Sequence, residues 1–399
     1  WNEEIYAGMS PAGLNWQKQS EPQELTMLLW MTLASGAAGS MFWQYRPEYL
    51  SFESPGYNLV ALDGKPTPRF EAVTEAIAQI ESMSQHLPLA YGKPDIGIIC
   101  HPETQDLFGL SNEAAKYLSD MRGVYRTLWT ESIPADILTP KMNWSGYRLL
   151  FLPNTALMTD ELNDRIIQTL KENPETKLVT EGAFGMYSSN GMSSYSPPET
   201  LGDIFGVRVA DISRVTEKDI ATGNNRIQTS FGEHVVTSSR GYLVLQPTSK
   251  DTEEIATLNG QCVAVRTSDG RFTWYGIPLS GEGLGGFSSN AKVAGVMPGH
   301  GEAADAQIVL GEVSRAGIEV PISIQGDKVV SVVRISRQGG HLVFLFNLEP
   351  KTADVVLVPG WEISVATDLI TNSSVTVSNN SVKTSIQPWG VGVLHFVEA

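Results

Sequence analysis

The sequence has little that would connect it to metals, disulfides or nucleic acids. Its 399 residues include only two cysteines, Cys100 and Cys262, which lie far apart and give neither a metal-ligand spacing nor a disulfide framework. Basic residues are also scarce, because 28 Lys and Arg stand against 44 Asp and Glu, a net charge of −16. Phosphates attract basic surfaces, so this balance argues against nucleic acid or an anionic membrane as partner. The histidines form no metal pair at helical spacing, and we expect no cofactor.

Long hydrophobic runs are missing as well. The most apolar stretch extends from Leu28 to Trp43, is interrupted by polar residues, and is shorter than the ~20 residues that span a bilayer. It predicts a buried helix followed by a buried strand. No signal peptide is visible, which favours a cytoplasmic location. Because the sequence opens on Trp1 instead of Met, we expect that residue 1 is not the translation start.

The order of predicted elements indicates several domains. Residues 1–88 combine a helix at 21–34, an apolar strand at 39–43, a proline-rich loop and a helix at 70–86, which is typical of the closing end of an α/β barrel. A second zone alternates strands and helices and predicts a doubly wound sheet, with strands at 96–99, 147–152 and 177–180 and helices at 112–129 and 159–170.

From about residue 220 onward the apolar residues recur with a period of two. Four such segments predict strands of an antiparallel β-sandwich, at 329–334, 341–346, 354–358 and 391–396. We therefore expect a multi-domain α/β plus all-β protein. The predicted domains are 1–88, 93–312 and 318–399.

The first 88 residues carry a combination of short motifs that is informative as a set. They are Trp1-Asn-Glu-Glu4, Asn15-Trp16, a glycine-rich run from Gly36 that leads into Phe42-Trp-Gln-Tyr-Arg46-Pro47, Glu53, and Leu62-Asp-Gly-Lys-Pro-Thr-Pro-Arg69. Together they resemble family 42 glycoside hydrolases, which are β-galactosidases. The resemblance implies that residues 1–88 are the last two units of a (β/α)8 barrel.

The resemblance also implies roles for individual residues. Glu4 matches the nucleophile, and Trp16, Trp43 and Glu53 match residues of the galactose subsite. Arg46 is expected to orient a carboxylate through charge-assisted hydrogen bonds and to take part in substrate binding.

Structural interpretations of the same residues stay open. Glu3 competes with Glu4, but neighbouring strand residues point to opposite faces and the Trp-x-x-Glu spacing selects Glu4. The Glu-Glu pair can also be a solvated chain end, Trp43 a core aromatic and Glu53 a solvated loop acid.

Two departures from the family pattern affect the functional prediction. Gly56 stands where the family often has a histidine, which weakens the case for galactose specificity. More importantly, the family's acid/base is a glutamate after an asparagine, and neither Asn2-Glu3 nor Asn112-Glu113 is placed to fill that role. We expect the acid/base in a barrel portion upstream of Trp1, and we expect residues 1–399 alone to be inactive.

The later zones resemble the other domains of the same family. Residues 93–312 are similar to its flavodoxin-like trimerisation domain with a β-rich extension, and 318–399 to its C-terminal β domain. The resemblance implies a homotrimeric retaining β-galactosidase that acts on galactosides or oligosaccharides. The alternative is a non-catalytic carbohydrate-binding or trimeric scaffold protein. Gly281–Gly286 formally fits a nucleotide-binding pattern but is interpreted as a loop, and Cys100 beside His101 as a buried structural cysteine.

Overall fold

Two structural units share the chain, and the first draws on both ends of the sequence. The computed structural model describes residues 1–9, 11–12, 15–16, 19–110, 114–194, 197–236, 241–279 and 304–399. Within these residues, the first unit combines 1–93 with 320–399. The second unit combines 94–279 with 304–319.

The N-terminal part of the first unit contains two strand–helix pairs. Its elements are β1 (Asn2–Tyr6), β2 (Pro11–Ala12), β3 (Asn15–Trp16), α1 (Pro22–Ala34), β4 (Ser40–Trp43), α2 (Pro68–Ser82) and a 3-10 turn (Ser84–His86). Strands β1 and β4 pair in parallel, and α1 lies between them in the chain. This is the arrangement of two successive units of an α/β barrel, as predicted.

Helix α2 shows how local sequence sets the bounds of these elements. The Thr67 hydroxyl accepts the backbone N–H of Phe70 at 3.3 Å, and Pro68 occupies the first turn, where a missing N–H costs nothing. The helix therefore begins at Pro68, two residues before the predicted start. It ends at Ser82, and the 3-10 turn completes the predicted segment.

The second unit is built around a large mixed sheet. Its strands are β5 (Ile96–Ile99), β6 (Ala135–Leu138), β7 (Leu149–Leu152), β8 (Leu157–Met158), β9 (Lys177–Glu181), β10 (Tyr187–Ser188), β11 (Val207–Arg214), β12 (Arg226–Thr229), β13 (Gly232–Val235), β14 (Gly241–Pro247), β15 (Thr252–Leu258), β16 (Gln261–Thr267) and β17 (Phe272–Tyr275). Its helices are α3 (Pro102–Leu110), α4 (Ala114–Thr130), α5 (Asp160–Glu172), α6 (Glu199–Phe205), α7 (Glu217–Thr222) and α8 (Ala304–Arg315). Nine strands form one sheet in the order β13-β12-β15-β16-β17-β9-β7-β5-β6.

This sheet is covered on both faces. The strands from β17 to β6 are parallel, and β16, β15, β12 and β13 extend the sheet in antiparallel pairs. Ile98 packs into a core with residues of α4 and α8, whereas its neighbour Ile99 packs into a second core with residues of α5 and α6. The doubly wound arrangement is therefore confirmed.

The C-terminal part of the first unit is an antiparallel β-sandwich, also as predicted. Its strands are β18 (Ile322–Gly326), β19 (Val330–Ile335), β20 (His341–Phe346), β21 (Ala353–Pro359), β22 (Ile363–Asp368), β23 (Ser373–Val375), β24 (Val377–Ser378), β25 (Ser381–Ile386) and β26 (Val391–Glu398). They form a four-stranded sheet (β18-β21-β25-β24) and a five-stranded sheet (β19-β20-β26-β22-β23). Leu345, Leu357 and Phe396 belong to their shared core.

The predicted fold class, α/β together with all-β, is confirmed by these elements. The three domain boundaries at 1–88, 93–312 and 318–399 stay a prediction. Among the helices of the described residues, none combines the length and apolarity needed to cross a bilayer.

Candidate active site

Strand β1 presents Glu4 on the face that the helices leave open. Ile5 is buried in a small core with Leu25 of α1 and Val73 of α2. Glu4 and Tyr6 flank Ile5, and both are exposed. Because strand side chains alternate between faces, these two groups lie on the side away from the helices. Glu3 is also exposed, so burial alone does not separate the two glutamates.

Strand β4 adds Trp43 to the same face. The parallel register pairs Tyr6 with Trp43 at the carboxyl ends of the two strands. Phe42 packs against the helix-side core, whereas Met41 and Trp43 are 49% and 42% exposed. The prediction of a buried strand after α1 is therefore wrong. The helices cover one face of the β1–β4 pair, and the other face carries the candidate site.

The loop after β4 brings Glu53 back to Trp43. The indole Nε1 of Trp43 donates to a Glu53 carboxylate oxygen at 3.3 Å. The loop turns at this point through the Gly56 amide, which donates to the Glu53 carbonyl at 2.7 Å, and the Glu53 amide donates to Ser51 Oγ at 3.0 Å. The structure thus bonds Trp43 to Glu53 and places Glu4 on the same face as Trp43; these are three of the residues predicted from the sequence.

Two tyrosines that the sequence analysis did not assign complete this face. The rings of Tyr6 and Tyr57 lie 5.0 Å apart at an angle of 51°. Burial raises the pKa of Tyr6, and the negative charge of Glu4 and more distantly of Glu53 adds to this effect. Tyr6 therefore stays protonated at neutral pH and can donate a hydrogen bond. Tyr6 can be found from the sequence, because it follows Glu4 by two residues on a predicted strand and so shares its face. No sequence pattern marks Tyr57.

Arg46 lies with a different set of groups. Its guanidinium donates to the Leu62 carbonyl at 3.0 Å, bonds the Tyr49 hydroxyl and stacks over the Tyr49 ring at 4.9 Å. The Tyr49 hydroxyl also donates to the Leu62 carbonyl, at 2.9 Å. In this structure Arg46 fastens the loop after β4. Its predicted role in substrate binding stays a prediction.

Arg69, the last residue of the quoted motifs, connects two segments of the site. It is 9% exposed, and its guanidinium donates to the carbonyls of Ala7 at 3.1 Å and Asn58 at 3.0 Å. Ala7 follows Tyr6 and Asn58 follows Tyr57, so one buried side chain holds both tyrosine-bearing segments. Burial lowers the pKa of Arg69, and the two carbonyls offset part of the cost of the buried charge.

Trp16 is described only through its backbone. It pairs with Pro11 in the short β2–β3 ladder. Its side chain lies outside the described residues, so its place in the galactose subsite stays a prediction.

The weaker sequence signals lie in the second unit or outside the residues that the structure describes. Burial raises the pKa of the Cys100 thiol, which disfavours the nucleophilic thiolate. His101 is fully buried and bonds Thr104 Oγ1 at 2.9 Å. Residues Gly281–Gly286 lie outside the described residues. Within the described part of the chain, no group of three His, Cys, Asp or Glu side chains is placed to hold a metal ion.

Comparisons with known proteins give the following similarities. Residues 103–268 match the family described as the β-galactosidase trimerisation domain. β-Galactosidase GanA of Bacillus subtilis is 25% identical over 221 residues, 53% of this chain and 32% of that protein. The β-galactosidase structure from Bacillus circulans sp. alkalophilus matches with a TM-score of 0.77 at 16% identity, covering 99% of this chain and 55% of that one.

A further solved structure leads to the same fold. Gan42B, a GH42 β-galactosidase from G. stearothermophilus, matches with a TM-score of 0.77 at 16% identity, over 98% of this chain and 53% of that one. At these identities the structural likeness shows the fold alone. The chain spans about half the length of these structures and 32% of the length of GanA.

Proposed function

Because this chain belongs to glycoside hydrolase family 42 and corresponds to the C-terminal portion of its β-galactosidases, we propose that the intact protein is a retaining β-galactosidase. It would release terminal non-reducing β-D-galactose from galactosides or oligosaccharides. The observation that carries this proposal is the shared open face of β1 and β4, which carries Glu4 and also Trp43 with its partner Glu53.

The groups on this face suit a mechanism that retains the anomeric configuration. A retaining glycosidase uses two carboxyl groups about 5–5.5 Å apart, one as nucleophile and one as acid and then base. In the proposal Glu4 attacks the anomeric carbon while the glycosidic bond breaks, and the acid/base gives its proton to the departing oxygen. Water then cleaves the glycosyl–enzyme bond and returns a proton to the acid/base. The exposed indole of Trp43 offers a flat apolar face for a galactose ring, and Glu53 accepts hydrogen bonds from sugar hydroxyls. Trp16 and Arg46 would complete the galactose subsite.

The second carboxyl group is proposed to come from outside residues 1–399. No asparagine–glutamate pair in residues 1–88 stands where the family places its acid/base. An acid/base contributes about 10²–10⁴-fold to the rate by proton transfer alone. We therefore propose that residues 1–399 do not hydrolyse galactosides by themselves, and that a preceding barrel portion supplies the missing glutamate.

The assembly is proposed to be a homotrimer. The support is the match of residues 103–268 to a trimerisation domain. Under this proposal the chain has three domains, 1–88, 93–312 and 318–399, and the middle one makes the subunit contacts.

Mutation of the two neighbouring glutamates in the intact protein tests the function. Glu4→Gln should abolish turnover of nitrophenyl-β-galactoside while galactose binding persists. Azide should rescue Glu4→Gly and give a galactosyl azide of inverted configuration, because the small anion enters the space left by the carboxylate. Glu3→Gln is the matched control and should stay active.

Other outcomes would contradict particular parts of the proposal. An inactive Glu3→Gln with an active Glu4→Gln would show that the assignment is displaced by one residue. Sugar binding without turnover in the wild-type protein would favour the non-catalytic alternative.

A further inference from the structure

The Glu4 carboxylate needs a group that fixes its orientation. Glu4 is exposed in the middle of β1, and a nucleophile misplaced by about 1 Å can lose on the order of 100-fold in rate. The sequence motifs predict that Arg46 orients a carboxylate. In the structure the Arg46 guanidinium is bonded to the Leu62 carbonyl and to Tyr49.

Tyr6 is the neighbour whose placement suits that task. It follows Glu4 by two residues on the same strand, so the two side chains share one face. The Glu4 carboxylate lies close enough to raise the pKa of the Tyr6 phenol, and the Tyr6 backbone is aligned with Trp43 of the adjacent strand. Because a phenol is a neutral donor below its pKa of about 10, it can hold a carboxylate without adding charge to the site.

The ring of Tyr6 is in turn supported by Tyr57, at 5.0 Å between ring centroids. Tyr57 itself is fixed at both backbone groups. Its N–H donates to the Met9 carbonyl at 2.8 Å, and its carbonyl accepts the N–H of Gln44. A phenol held by a fixed ring has fewer rotamers to lose when it orients a carboxylate, which is how a supporting group increases precision.

We propose that Tyr6 is a positioning residue that donates its phenolic hydrogen bond to the Glu4 carboxylate and aims it at the anomeric carbon, with Tyr57 as its support. This inference rests on the proposed function, since it assumes that Glu4 is the nucleophile. The proton stays on Tyr6 throughout, and the covalent bond forms and breaks at Glu4 alone.

The test uses the intact protein with Tyr6→Phe, which keeps the ring and removes the hydroxyl. We expect kcat for nitrophenyl-β-galactoside to fall roughly 10- to 100-fold, because the attacking oxygen is less well aimed. KM should change less than twofold. The rate constant of inactivation by a 2-deoxy-2-fluoro-β-galactosyl reagent should fall in the same proportion, because that reaction reports attack by the nucleophile itself.

Two further variants separate positioning from structure. Tyr57→Leu removes the supporting ring and should give a smaller loss in the same two rates. Tyr45→Phe removes a phenol whose ring packs against Phe70 of α2, and should leave the inactivation rate within twofold of wild type. Circular dichroism and light scattering confirm that each variant is folded and assembled.

The outcomes distinguish this inference from the proposed function. If the wild-type protein is labelled at Glu4 but Tyr6→Phe reacts at the wild-type rate, the positioning role is overturned and the function stands. If Tyr6→Phe raises KM and leaves kcat unchanged, Tyr6 only binds sugar and the inference is again wrong. If the wild-type label lies on another residue, the proposed function and this inference fail together.

Discussion

Replacing Arg69 with methionine should destabilise the two segments that carry Tyr6 and Tyr57. It removes no group that is proposed to contact the sugar. Arg69 donates two hydrogen bonds to main-chain carbonyls, those of Ala7 at 3.1 Å and Asn58 at 3.0 Å. Methionine has a similar length but no donor, so both buried carbonyls lose this partner, at about 1–3 kcal/mol each. Removing a buried charge offsets part of this loss. We therefore expect the free energy of unfolding to fall by roughly 2–4 kcal/mol.

Urea unfolding of residues 1–399 measures this loss, and hydrogen exchange locates it. The Ala7 amide donates to the Trp43 carbonyl at 2.9 Å, so the exchange rate of this amide reports how stably the end of β1 is paired with β4. Arg69→Lys keeps the charge and can still donate to one of the two carbonyls. Its free energy of unfolding should therefore fall by about half as much as that of Arg69→Met. Glu75→Gln, an exposed position on the same helix, should stay within about 0.5 kcal/mol of wild type. An Arg69→Met variant with wild-type stability and unchanged Ala7 exchange would refute the reasoning.

Four other outcomes are expected. Residues 1–399 alone should show no turnover of nitrophenyl-β-galactoside, and activity within tenfold of an intact relative would contradict the missing acid/base. Light scattering should give three times 43.4 kDa, and a monomer at all concentrations would refute the trimer. Glu312→Gln should lower stability by about 3–5 kcal/mol in calorimetry, because the fully buried Glu312 carboxylate neutralises Arg266 and Arg315; an unchanged melting temperature would contradict this. Burial and His395 lower the pKa of His86, so its stabilising contribution should be present above pH ~6.5 and decline as the pH falls further, a dependence that His86→Asn should reduce in urea titrations.

In the parallel part of the large sheet, the strands that were predicted from the sequence are those buried on both sides. Every residue of β5 and β7 is buried, and each strand reads as a continuous apolar run. The adjacent strand β6 was not predicted, because it is the last strand of the sheet, contains Asp136 and leaves Ile137 46% exposed. Solvent at the edge of a sheet interrupts the continuous apolar run by which a buried parallel strand is recognised.

The candidate site was also predicted only in part. Motif spacing was enough to nominate Glu4, Trp43 and Glu53, which lie on one open face. It was not enough to place Arg46, whose contacts with Tyr49 and Leu62 depend on the path of a loop. Tyr57 has a φ of 53°, an uncommon conformation for a bulky residue, and it meets Tyr6 only through tertiary structure.

Trapping of the covalent intermediate tests the central claim most directly. The intact protein is incubated with 2,4-dinitrophenyl 2-deoxy-2-fluoro-β-galactoside, digested and mapped by mass spectrometry. The account predicts one fluorogalactosyl group per protomer, attached to Glu4. Attachment to Glu3 or Glu53 instead would contradict it. Hydrolysis of the reagent by a protein that acquires no covalent label would also contradict it.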